Sequence, residues 1–135
     1  MSNLVLLKKQ HIEIFDLLAT TDTLIAKSVD DNIKDIANNI NSLSGKLKMH
    51  LMSEDEFLYP TLMQSSNKVV RDTAWAFNEE MGGLAATMNA FVQNFNTPQK
   101  ILQDGNSFRI ESRKIFRAVR DRINREDAGL FTLME

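Results

Sequence analysis

Polar residues stand on the buried stripes of this chain, at rungs where a leucine would be expected. Stepping by threes and fours from Ile33 gives Ile33, Ile36, Ile40, Leu43, Leu47, His50, Glu54 and Phe57, the pattern of a helix with one face in a core. The same walk gives Leu4, Leu7, His11, Ile14, Leu18, Thr21 and Ile25 in the first segment. In the last segment it gives Phe108, Ser112, Ile115, Val119, Arg122, Glu126 and Gly129. Only Val70, Ala74, Phe77, Met81, Leu84, Met88, Phe91 and Phe95 form a ladder that is apolar throughout. An unpaired buried charge costs more than a small domain can spare, so His11, His50, Glu54, Arg122 and Glu126 must answer one another or share a ligand.

The four stripes predict helices over about Asn3–Lys27, Ile33–Leu58, Lys68–Phe95 and Ser107–Gly129. The Asp30, Asp31, Asn32 cluster is expected to end the first and cap the second, and Pro60 to end or kink the second before the polar stretch Gln64–Asn67. Asn96, Thr97 and Pro98 read as a stop followed by a start, and Asp104 to Ser107 as another turn. No β-branched alternating segment is present, and short connections favour an all-α, up-down-up-down antiparallel four-helix bundle. With 135 residues and no break in composition, residues 1–135 are expected to form a single domain.

A weak internal repeat supports that architecture. HLMSEDEFLYP at 50–60 aligns with RINREDAGLFT at 122–132, setting His50 against Arg122 and Glu54 against Glu126. KQHIEIF around His11 can likewise be laid against EEMGGLA around Met81.

A net charge of −2 predicts no general affinity for nucleic acid, and the basic residues of the last helix read as a solvated face paired with Glu111, Asp121 and Asp127. The absence of cysteine excludes disulfides, thiolate metal sites and cysteine nucleophiles. No apolar run reaches membrane-spanning length, and the N-terminal run is too short for a signal peptide, so a cytoplasmic protein without membrane association is expected. Gly82 and Gly83 cost helix stability, and read either as close helix packing or as an access route beside the polar layer. Met49 and Met52 read as flexible packing, and Trp75 and Tyr59 as core or boundary aromatics without chemistry.

His50 and Glu54 lie one helical turn apart and can reach one point. With His11 and Glu126 from neighbouring helices they form a set of two imidazoles and two carboxylates, suited to iron, manganese or zinc with positions left open.

These residues are also where the chain resembles the hemerythrin-like (HHE) domains. The resemblance rests on His11, on H-x-x-x-E-D with L-Y-P at His50, Glu54, Asp55, Leu58, Tyr59 and Pro60, and on an echo at Glu126, Asp127, Leu130 and Phe131. It implies a four-helix bundle binding non-haem iron, with His11 and His50 as terminal ligands of one iron and Glu54 and Glu126 as bridging carboxylates. It also implies dioxygen binding, or sensing of oxygen, nitric oxide or iron, so that a small diatomic molecule is the expected ligand. Histidines for a second iron would come from the third and fourth helices, where this chain has Met81 and Arg122. A thioether is a poor ligand for iron and a guanidinium repels a cation, so the second pocket reads as lost, with Arg122 filling it and compensating both glutamates.

The leading expectation is therefore a non-enzymatic binding protein holding one iron through His11, His50, Glu54 and Glu126. A metal-free reading stays open, because Glu54, Glu126, Arg122 and one protonated histidine already sum to neutrality. That alternative is a degenerate bundle with an Arg122-centred salt-bridge network and a protein-interaction or signalling role, its partner unspecified. A third, a ferritin-like carboxylate oxidase or peroxidase, needs two adjacent redox metals.

Overall fold

The computed structural model describes residues 2–134, with the side chains at positions 2, 81 and 82 left aside. Its long helices are α1 (Ser2–Lys27), α2 (Ile33–Ser53), α4 (Lys68–Phe95) and α6 (Gly105–Gly129). Two short helices, α3 (Tyr59–Met63) and α5 (Pro98–Gln103), and a terminal 3₁₀ turn at Phe131–Met134 complete the described residues. No strand occurs among them.

The long helices pack as a ring, α1 on α2, α2 on α4, α4 on α6 and α6 on α1. Cross-helix contacts run in opposite sequence directions at the α1–α2 and α4–α6 seams. Gln10 meets Ser53 while Glu13 meets Lys46, and Arg122 meets Glu80 while Phe108 meets Phe95. This is the expected antiparallel up-down-up-down bundle.

The predicted stripes are buried almost rung for rung. The large apolar cluster fills one end of the bundle, with Ile14, Leu18, Ile40 and Leu43 facing Phe91, Phe95, Phe108 and Phe116. A smaller cluster, built on Leu4, Leu7, Leu58, Leu62, Leu130 and Phe131, closes the other end. Between them lies a layer of buried polar groups: His11, His50, Glu54, Arg122 and Glu126. Apolar packing above and below shields that layer from water, which strengthens its electrostatics and makes any unpaired group costly.

Several local expectations need correction. The second helix does not end at Pro60; it passes from α2 through a π-helical turn at Glu54–Leu58 into α3 and stops at Met63. Tyr59 N–H bonds to Glu54 C=O, five residues back. This wider turn precedes a proline whose ring would otherwise meet the preceding turn. The additional residue rotates the next turn of the helix, so that Leu58 and Tyr59 enter the core and Phe57 is only half-buried.

Asn32 precedes α2 but makes no side-chain cap; its amide instead donates to Leu24 and Ser28 carbonyls, satisfying the end of α1. The last helix begins at Gly105, two residues before Ser107, because Asp104 accepts from Ser107 N–H and caps it. Trp75 lies on the surface, 52% exposed, rather than in the core or its margin. A Cβ at Gly83 would meet nothing within 4 Å, so close helix packing does not account for that glycine. Met49 and Met52 are exposed, which removes the packing role expected of them.

Candidate metal centre

The four residues expected to share a ligand come together. His11 from α1, His50 from α2, Glu54 at the start of the π turn and Glu126 from α6 each offer a donor atom, all within 4.8 Å of one another and all buried. His11 Nε2 lies 3.0 Å from His50 Nε2 and 2.9 Å from Glu126 Oε1. His50 Nε2 lies 3.3 Å from Glu54 Oε2 and 3.4 Å from Glu126 Oε1.

The far side of each imidazole explains why these nitrogens face inward. His11 Nδ1 is 2.7 Å from Asp127 Oδ1, a carboxylate that accepts its proton. Around His50 the same result comes from a longer chain. Ser53 Oγ–H donates to Met49 C=O at 2.9 Å, so Ser53 Oγ accepts from Gln10 Nε2 at 3.2 Å. The Gln10 amide is thereby oriented with Oε1 2.8 Å from His50 Nδ1, where it accepts the ring proton. Both rings are held with Nδ1 protonated and the Nε2 lone pair turned into the cluster. Phe131 stacks on His11, with ring centroids 4.6 Å apart and planes 11° apart, and fixes the ring from a third direction.

Two lone pairs and two carboxylates aimed at one point repel unless a cation or protons lie among them. Glu54 Oε1 and Oε2 and Glu126 Oε2 are buried without a hydrogen-bond partner. Orphaned buried carboxylate oxygens beside converging imidazole nitrogens are what a divalent metal satisfies, and the N/O donor set fits iron, manganese or zinc.

Without a metal, protons take up the charge. Burial disfavours the imidazolium form of His50, but the Glu126 and Glu54 carboxylates outweigh it and raise its pKa to about 9. Burial, with repulsion from Glu126, lifts Glu54 to about 8 despite His50 beside it. Burial acts the same way on Glu126, yet His11 and His50 at hydrogen-bonding distance hold it well below the usual carboxylate range. The two carboxylates thus titrate as a pair, Glu54 raised and Glu126 lowered.

Arg122 stands on the opposite side of Glu126. Its Nε is 3.5 Å from Glu126 Oε2, while its terminal nitrogens donate to Glu80 Oε2 at 3.1 Å, Tyr59 Oη at 2.9 Å and Phe77 C=O at 2.6 Å. The guanidinium also lies over the Phe77 ring, 4.6 Å from its centroid. Glu80 is shared with Arg125, and the Arg125 and Arg122 charges keep its carboxyl below its ordinary value. Burial, reinforced by the charges of Glu54 and Glu126, pushes the Tyr59 phenol up, so it stays neutral.

The expectation that Arg122 compensates both glutamates needs correction. It pairs with Glu126, and no ion pair with Glu54 is formed among the described residues. Glu54 faces His50 instead, and Tyr59, which follows the π turn, bonds to the guanidinium. The side chain of Met81, expected as the other replaced ligand, lies outside the described residues.

The sequence pattern of the hemerythrin HHE cation binding domain matches residues 2–134. The chain belongs to that family. Neither a curated protein nor a solved structure matches it. Membership in the hemerythrin family accords with the His/Glu cluster, and implies non-haem metal binding.

The cluster also depends on partners that residue types alone do not reveal. Gln10, Asp127 and Phe131 orient the two imidazoles, and Tyr59, Glu80 and Phe77 hold Arg122. Asp127 had a signal in the repeat, where it aligns with Asp55. Gln10 and Glu80 had none, because polar residues off the buried stripe of a helix are common. No helix among the described residues is long and apolar enough to cross a membrane.

Proposed function

We propose that this protein binds a single non-haem iron through His11, His50, Glu54 and Glu126 and acts as a cytoplasmic sensor of oxygen, nitric oxide or redox state, without catalytic turnover. The observation that carries the reading is the convergence of two Nε2 lone pairs, fixed by Asp127 and Gln10, on carboxylates with orphaned oxygens. Iron, when bound, supplies one-electron redox chemistry and affinity for diatomic molecules.

The chain's own residues set the terms of that binding. Asp127 and Gln10 keep both rings in the ligating tautomer, and Glu54 and Glu126 supply negative charge that draws a cation into a dry layer. Arg122 supplies a fixed positive charge beside Glu126, which disfavours a second cation there. This supports a binding role over an oxidase or peroxidase, which would need two adjacent metals.

A second reading is favoured by the partners Arg122 finds in Glu80, Tyr59 and the Phe77 carbonyl: a metal-free bundle whose buried charges are held by Arg122 and by protons on His50 and Glu54, serving protein interaction. Metal analysis of protein purified without chelator, with an optical spectrum in air, separates the readings. One iron per chain is the expected result. None after exposure to ferrous iron would establish the metal-free reading, and two with turnover would establish an oxidase.

A further inference from the structure

A second charged site lies at the other end of the α1–α6 seam. Arg109, Arg113, Arg117 and Arg120 line one cleft of about 590 Å³, formed by α6 against Asp22, Ile25 and Ala26 of α1. Four of the chain's seven arginines are therefore gathered on one face of a protein whose net charge is −2.

The sequence-based expectation that acidic neighbours pair with this face holds for only part of it. Of the three acids expected, Glu111 pairs with Lys114, which lies outside the cleft, and Asp127 with His11; Arg120 instead pairs with Asp22 of α1. No hydrogen bond or ion pair engages the side chains of Arg109, Arg113 or Arg117 among the described residues. These three stand at i, i+4 and i+8, one above another on successive turns, over about 12 Å of helix. Like charges stacked at that spacing repel and cost stability, and an anion in the cleft would relieve the repulsion.

We propose that this cleft binds a small polyphosphate anion. The basic residues lining it are all arginine, although lysine is the commoner of the two in the chain, and the guanidinium fork matches phosphate oxygens two at a time. A column of three unpaired guanidiniums suits several linked phosphates better than one. Buried Ser112 and half-buried Ile25 lie along the same cleft and give it depth. No aromatic side chain lines it, so bases have nothing to stack on, which sets it apart from a single-strand nucleic-acid groove. The site is independent of the metal centre and of the sensor reading.

Calorimetric titration of the full chain with inorganic tripolyphosphate at low ionic strength tests the proposal. One tripolyphosphate should bind per chain, and the exposed pair Arg113→Gln with Arg117→Gln should weaken it at least tenfold with circular dichroism unchanged. A charge-matched control, Lys34→Gln with Lys68→Gln, should change affinity less than twofold, and Arg113→Lys with Arg117→Lys should fall between. Equal losses in the arginine and lysine pairs would reduce the effect to net charge and overturn the site. Absence of binding at millimolar tripolyphosphate would also overturn it, as would a single-stranded oligonucleotide binding more tightly than tripolyphosphate. ATP compared with tripolyphosphate identifies the source: tighter ATP binding points to a nucleotide, and equal affinity to bare polyphosphate.

Discussion

The polar layer has two halves written on one repeated pattern, and they handle buried charge differently. In the half that begins HLMSED, His50 directs a lone pair at Glu54 and Glu126 and leaves carboxylate oxygens orphaned. In the half that begins RINRED, Arg122 at the equivalent position brings a fixed charge and spends its terminal N–H groups on Glu80, Tyr59 and the Phe77 carbonyl. The first half is completed by a cation or by protons, whereas the second meets its terminal N–H groups with neighbouring protein groups. One exchange of imidazole for guanidinium thus converts a ligand position into a permanent counter-charge.

The largest effect should come from removing that counter-charge. Arg122→Ala leaves Glu126 and Tyr59 without their buried partner and should cost roughly 3–5 kcal/mol in metal-free protein, read from urea unfolding. Native-like stability would show that the arginine half does not hold the layer together. Making the two halves alike is the complementary change. Arg122→His with Met81→His should raise bound metal from one to two per chain, and a folded double variant with unchanged metal content would break the symmetry argument.

Within the histidine half, Asp127→Asn should lower metal affinity by about 10–100-fold, because an amide no longer enforces a protonated His11 Nδ1. Metal competition with a chromophoric chelator measures this, and an unchanged affinity would reduce Asp127 to a surface partner.

The pH dependence sharpens the comparison further. His50 is raised to about 9, so its contribution to metal-free stability is fully present below its ordinary 6.5 and disappears as pH passes through 9. Glu54, raised from 4.5 to about 8, acts in the same direction over that range, because folding favours its protonated form. Glu126, held low, loses its contribution only as pH falls through the acid range. Chelator-treated protein should therefore lose stability between about pH 5 and pH 9. Metal-loaded protein should not, since a cation replaces both protons and binds more tightly as they leave. Parallel unfolding curves with and without metal would contradict the exchange.

The smallest effect lies outside both halves. Gly83→Ala places a methyl in open space on α4 and should stabilise by about 0.5–1 kcal/mol, seen as a higher Tm. No gain would mean that Gly83 is retained for a reason other than conformational freedom.

Much of the bundle was legible in the residues themselves. Apolar side chains at helical spacing have one way to leave water, so the spacing of Ile36, Ile40, Leu43 and Leu47 marks the buried face of α2, and His50 and Glu54 come with it. The convergence of His11, His50, Glu54 and Glu126 came from the same periodicity combined with antiparallel packing. The π turn was not legible, because one additional residue in a helix leaves no mark on composition, and it redirected Phe57, Leu58 and Tyr59.

Periodicity therefore determined which residues face inward, since burial of apolar area acts on each helix separately. Only the tertiary structure decided which inward groups touch. It paired His11 with Asp127 and His50 with Gln10, and gave Arg122 to Tyr59 and Glu80 instead of Glu54. Those pairings depend on angstrom-scale register between helices distant in sequence, and a hydrogen bond, unlike burial, is made or lost over such distances.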